Sequence, residues 1–284
     1  MPRLHAQSTP DVPRLPVPVR LLADGFGFTE GAVWNPRGFF LFSDIPRNTL
    51  WKVTFTGKTE VIRQPSGHSN GNTYDPQNRF VSCLHDRRVE RKEADGEFHP
   101  IATTYFGKQL NSPNDVTVGR DGSLYFTDPT YGIAPDQSEL GFRGLYRIFP
   151  DGRVLLLDAR WQQPNGLCFS PDGKRLYAND SQAGLIYAYD VNARGELSNR
   201  ALFATIPKPG DPDGMRCDDA GRLFVAAPQG VRVYQPSGAL IGLIPVPQDP
   251  ANLCFGGAKR DQLFITARTG VYLADLSGWK APVP

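Results

Sequence analysis

Five polar residues stand at near-regular intervals along the chain, each at the head of a short apolar run. They are Glu30, Asn70, Asn114, Asn165 and Asp213, spaced 40, 44, 51 and 48 residues apart, and the equivalent sixth position, 38 residues further on, is Ala251. One Asn-Gly or Asp-Gly pair is an ordinary turn former, but five such residues in one register point to a shared site. Two carboxylates brought together in a protein interior are costly unless a cation neutralises them. Carboxylate and amide oxygens carrying a charge of −2 suit one divalent cation, Ca²⁺ first and Zn²⁺, Mg²⁺ or Mn²⁺ as alternatives. The ring contains no His or Cys, which argues against a dedicated zinc centre.

Such residues act together only if the fold makes them converge. Each opens the same unit: a polar residue, an apolar run, a turn with Gly or Asp, then a second apolar run. Examples are Asn114-Asp-Val-Thr-Val-Gly-Arg-Asp-Gly followed by Leu124-Tyr-Phe-Thr-Asp, and Asn165-Gly-Leu-Cys-Phe-Ser-Pro-Asp-Gly followed by Leu176-Tyr-Ala-Asn-Asp. A second series interleaves with it, two β-rich runs around a turn glycine. These glycines are Gly57, Gly96, Gly152, Gly195, Gly238 and Gly278, and each of the first five lies 13 or 18 residues before the next ring residue. Every repeat therefore holds four short strands. Six repeats of about 40–50 residues each predict an all-β, six-bladed β-propeller. The innermost strand of each blade begins at a ring residue, so all six ring positions open at one end of the central channel. The C-terminal WKAPVP is too short for a fourth strand, and counting back 13 residues from Glu30 reaches Val17. Residues 17–22 are predicted to close the last blade, with Pro18 tolerated on an edge strand.

Composition agrees with this architecture. Of 284 residues, 29 are Gly and 26 Pro, a density that favours turns over long helices. Net charge is +2, and the short basic stretch Arg87-Arg88 and Arg91-Lys92 reads as a solvated strand edge, so nucleic-acid binding is not expected. No apolar run is long enough to span a membrane. Residues 1–16 are broken by prolines and lack an apolar signal segment. They are read as a loosely ordered arm on a propeller domain of residues 17–284, in a cytoplasmic protein. Cys83, Cys168, Cys217 and Cys254 form no C-x-x-C pair and are expected to be free buried thiols.

The strings FTEGAVW at 28–34, SNGNTYDPQNR at 69–79, LNSPNDVTVGRDGSLYFTDPTYG at 110–132, QPNGLCFSPDGKRLYAND at 163–180 and PDGMRCDDAGRLFVAA at 212–227 resemble the SMP-30/gluconolactonase/LRE-like family, in particular its bacterial gluconolactonase branch. The resemblance implies a six-bladed propeller with one divalent cation. It implies Glu30, Asn165 and Asp213 as ligands, with Asn114 as a fourth ligand or a substrate contact. It also implies a metal-dependent lactonase that hydrolyses a gluconolactone-like sugar lactone to the aldonic acid, with Asp213 as general base. The chain departs from the family pattern at Leu84, where similar bacterial sequences often carry Glu, and at Ser112, where the animal branch has Arg. Both departures bear on which lactone is taken.

Other candidates follow from the residues themselves. His85, neutral at pH 7, is a backup base or a structural group of the adjoining strand. The second strands of blades one, three and four end in Asp44, Asp128 and Asp180, either orienting the ring residues or serving as strand-end turn residues. Asn70 and Asp128 are candidate substrate contacts. So are Tyr131 and Arg143 on the long 128–144 loop, unless they pin that loop in place. Phe26 and Phe28 either wall the pocket or pack in the core. The rival readings are an esterase or phosphotriesterase on the same scaffold, and a non-catalytic interaction propeller.

Overall fold

The computed structural model of the chain describes residues 12–280. Its strands form six four-stranded antiparallel sheets and one small two-stranded hairpin, Thr104–Tyr105 with Lys108–Gln109. The only helical element among the described residues is a single 3₁₀ turn, Pro135–Gln137. Blade one runs outward as Thr29–Asn35, Phe39–Asp44, Thr49–Val53 and Thr59–Arg63. The innermost strands of blades two to six are Ser69–Tyr74, Val116–Val118, Pro164–Phe169, Met215–Cys217 and Pro250–Gly256. Alternation of apolar residues along these short strands puts side chains on both faces of each blade, and neighbouring blades bury them against each other.

The hydrophobic core is accordingly divided into six clusters, one for each seam between blades. The seam of blades one and six stacks Phe40 on Phe264 at 4.4 Å. The seam of blades one and two is the lightest, with Leu41, Leu50 and Phe80 as its buried members.

The N-terminal strand closes blade six. Val19–Asp24 pairs with Gly270–Asp275, Val19 opposite Ala274 and Asp24 opposite Gly270. The strand begins two residues later than the spacing from Glu30 predicts. Pro18 precedes the ladder and contributes only its carbonyl, which accepts from the Asp275 amide at 3.0 Å. Of the segment 1–16, residues 1–11 lie outside the described residues. The remainder runs along the outer strand of blade five, Leu240–Pro245. Leu243 donates to the Pro13 carbonyl at 2.8 Å and accepts from the Leu15 amide at 2.7 Å. Leu15 and Val17 are buried in the seam of blades five and six. The prolines that suggested a loose arm alternate with residues that dock, and a proline can still lend its carbonyl to an open strand edge.

Around the channel the inner strands approach closely. A Cβ on Gly31, which has φ +59°, would sit 1.8 Å from the Asn70 carbonyl oxygen, and one on Gly166 would sit 2.2 Å from that of Asp213. The glycines after the ring residues therefore serve inter-blade contact rather than hairpin turns.

Candidate functional site

The ladder slips at the ring positions. Pairing of the first and second strands shifts register between Glu30 and Val33, between Ser69 and Asn72, and between Pro164 and Leu167. Bulges of this kind re-aim side chains, and here they turn Glu30, Asn70 and Asn165 toward the channel axis. In blades three and five the inner strand starts only after Asn114 and Asp213. Side chains of the preceding blade hold the ring backbone. Ser43 donates to the Asn70 carbonyl at 2.8 Å, Thr127 to that of Asn165 at 2.7 Å and Asn179 to that of Asp213 at 2.6 Å.

The three strand-end aspartates share one task. Asp44 accepts from the amides of Gly27 and Phe28, Asp128 from those of Asn111 and Ser112, and Asp180 from those of Gln162 and Gln163, all at 2.7–3.2 Å. In each case the donors stand three and two residues before the ring residue. The carboxylates clamp the segment that delivers it, and Asp180 also accepts from the Ala183 amide in the turn after its own strand at 3.2 Å.

Glu30, Asn70, Asn114, Asn165 and Asp213 all line one cavity of about 590 Å³, together with Ala251, His85, Tyr131 and Phe28. Phe26 instead packs in the core against Phe42 and Trp51. Asp128 and Arg143 are not brought to the cavity. Asp128 is fully buried over its clamp, and burial pushes its carboxyl up to about 7. The Arg143 Nε donates to Thr130 Oγ1 at 3.1 Å and so pins the 128–144 loop. Tyr131, on the same loop, reaches the cavity beside Asn165 and Ser181.

Glu30 Oε2 accepts from the Gly31 amide at 2.9 Å, yet burial, with the nearby Asp115 charge, pushes its carboxyl up to about 7. Asp213 is raised well above the usual carboxylate range, first by burial and then by the charges of Glu30 and Asp115. Asp213 Oδ1 and Asn70 Oδ1 are buried with no hydrogen-bond partner. Mutually repelling carboxylates and unpartnered oxygens beside a cavity are what a hard cation would satisfy. Among the described residues no three His, Cys, Asp or Glu side chains are placed to hold a metal ion by themselves, so amide oxygens would have to complete a donor set. His85 Nε2 lies 3.2 Å from the Asn70 amide nitrogen. Burial, with the His68 charge, lowers its pKa to about 4, which leaves a neutral imidazole at neutral pH.

Several lining residues escaped the sequence reading although the repeat register contained them. Ile45, Ser181, Pro228 and Arg268 line the cavity, and each directly follows the end of a second strand, as His85 does. Asp211 and Asp249 also line it, two residues before a ring position, as Phe28 does.

Fold and site together define a six-bladed propeller with a buried oxygen-donor site at one mouth of its channel. Residues 28–269 match the family model described as the SMP-30/Gluconolactonase/LRE-like region, and the chain belongs to that family. It is 34% identical to a gluconolactonase of Zymomonas mobilis subsp. mobilis, over 89% of this chain and 80% of that one. It is likewise 34% identical to a pentonolactonase of Haloferax volcanii, over 85% of this chain and 81% of that one. A solved gluconolactonase structure from Xanthomonas campestris superimposes with a TM-score of 0.85 at 34% identity, covering 93% of this chain and 91% of that one. No helix among the described residues is long and apolar enough to cross a membrane.

Proposed function

We propose that the protein is a metal-dependent lactonase that opens an aldonolactone of the gluconolactone type to its aldonic acid. The reaction class is hydrolysis of a carboxylic ester bond, the class of the gluconolactonase and pentonolactonase relatives. The observation that carries the reading is the convergence of Glu30, Asn70, Asn114, Asn165 and Asp213 on one cavity, with Asp213 Oδ1 and Asn70 Oδ1 left unpartnered. Glu30, Asn165 and Asp213 would hold the cation, with Asn114 as fourth donor or as a contact to substrate. The all-oxygen set favours Ca²⁺ over Mg²⁺, Mn²⁺ or Zn²⁺.

A bound divalent cation would polarise the lactone carbonyl and lower the pKa of a nearby water. The remaining work falls to the chain. Asp213 takes a proton from the attacking water as its oxygen bonds to the carbonyl carbon. The bond from that carbon to the ring oxygen breaks, and the proton passes to the departing oxygen, leaving a hydroxy acid. His85, neutral and beside Asn70, is the second candidate for that proton. Asn70, Asn114 and, from the 128–144 loop, Tyr131 offer donors and acceptors to the sugar hydroxyls.

The deciding experiment is acid release from glucono-δ-lactone and a panel of pentono- and hexonolactones, before and after chelation, with metal add-back and correction for spontaneous hydrolysis. Activity lost to chelator and restored by Ca²⁺ or another divalent cation is expected. Full activity in verified metal-free protein would overturn the metal dependence. Turnover confined to an aryl ester or a phosphotriester would overturn the lactone assignment.

A further inference from the structure

One residue below the ring, the chain carries Gly31, Gly71, Asp115, Gly166, Gly214 and Asn252. Asp115 is therefore the only carboxylate in that layer, and it is 1% exposed. Three residues below the ring the corresponding positions are Val33, Thr73, Thr117, Cys168, Arg216 and Cys254, among which Arg216 is the only charge. The Arg216 Nη1 donates to the Met215 carbonyl at 2.7 Å and lies 3.5 Å from Asp115 Oδ2. Asp115 belongs to blade three and Arg216 to blade five, which are not neighbours, so the pair spans the central channel directly beneath the ring.

This placement bears on charge. Glu30, Asp213 and Asp115 together would bring three buried negative charges to the channel, one more than a divalent cation balances. We propose that Arg216 is a charge-setting residue, whose reach across the channel to Asp115 holds the site at the −2 that one divalent cation neutralises. The inference rests on the reading of the ring as a cation site, and it adds a positioning residue outside the ring itself. Arg216 acts through Asp115 and touches neither substrate nor cation.

The test is Ca²⁺ binding by calorimetry on the full chain stripped with chelator, with melting temperature read in the presence and absence of Ca²⁺. R216M leaves Asp115 uncompensated. It is expected to bind Ca²⁺ about tenfold more tightly, to melt earlier without Ca²⁺ and to gain more from its addition. D115N leaves the guanidinium uncompensated and is expected to bind Ca²⁺ about tenfold more weakly. The D115N/R216M double variant should return toward wild-type affinity, and R216K should stay near it. If R216M does not fold without cation, D115N and R216K still carry the test. A merely structural pair would lower stability in both single variants and leave affinity unmoved, and that result overturns the inference while the cation reading stands. Wild-type protein that binds neither Ca²⁺, Mg²⁺ nor Mn²⁺ overturns both.

Discussion

Asp213 and His85 face the same cavity with opposite electrostatic burdens. Asp213 is crowded by negative charge, so its ionised form depends on what neutralises the ring. On the proposed mechanism, replacing it with Ala removes both a cation donor and the proton acceptor. A loss of kcat of at least about a thousandfold is expected, measured on protein whose circular dichroism matches wild type. For His85 the folded-state pKa of about 4 lies below the ordinary 6.5. The folded state thus favours the neutral ring, and the associated stability is complete above pH 6.5. It is lost as pH falls from there toward 4, at up to about 1.4 kcal/mol per pH unit. Denaturant titrations of H85Q across this window should show a shallower fall than wild type. Equal slopes would show that the imidazole titrates freely. The ring residues could be read from sequence because the same register presents them five times. Asp128 and Arg143 could not be placed, since the role of each is fixed by partners in loops that follow no repeat.

Among the elements, the clamp of strand-end aspartate on the segment before Glu30, Asn114 and Asn165 is the recurrent device. Its parts are visible in sequence as Asp44, Asp128 and Asp180, but the recipients are backbone amides, and an amide carries no sequence signature. Asp180 serves three of them, Gln162, Gln163 and Ala183. D180A strands these donors and is expected to cost about 1–3 kcal/mol. Because the clamp delivers Asn165, the same change should also weaken Ca²⁺ binding. Chemical denaturation and calorimetry on one preparation check both, and an unchanged affinity would reduce the clamp to a structural role. The 128–144 loop is held by the same logic, through Thr130 on Gln163 at 3.0 Å and Gly132 on Ser112 at 3.0 Å. That anchorage explains why Tyr131 reaches the cavity while Arg143 does not.

At the scale of the molecule, stability resides in seams between blades rather than in one central core. Phe264, stacked on Phe40 where blades one and six meet, sits at the seam between the first and last blades. F264A should cost about 3–5 kcal/mol, read as a lower urea midpoint with unchanged slope, whereas a loss under 1 kcal/mol would mean that the seam repacks. The fold was legible because six repeats can bury their faces only by closing on one another. The finer register of the closing strand was not, since the spacing from Glu30 cannot distinguish Pro18 in the ladder from Pro18 beside it. That strand also sets a schedule for the nascent chain. Val19 meets Ala274, and a ribosome adding about 5–20 residues per second needs roughly 10–50 s to deliver the partner after the strand emerges. Throughout that interval the earlier blades can assemble while the ring stays open, and Val19–Asp24, made before every other described strand, is the last to be used.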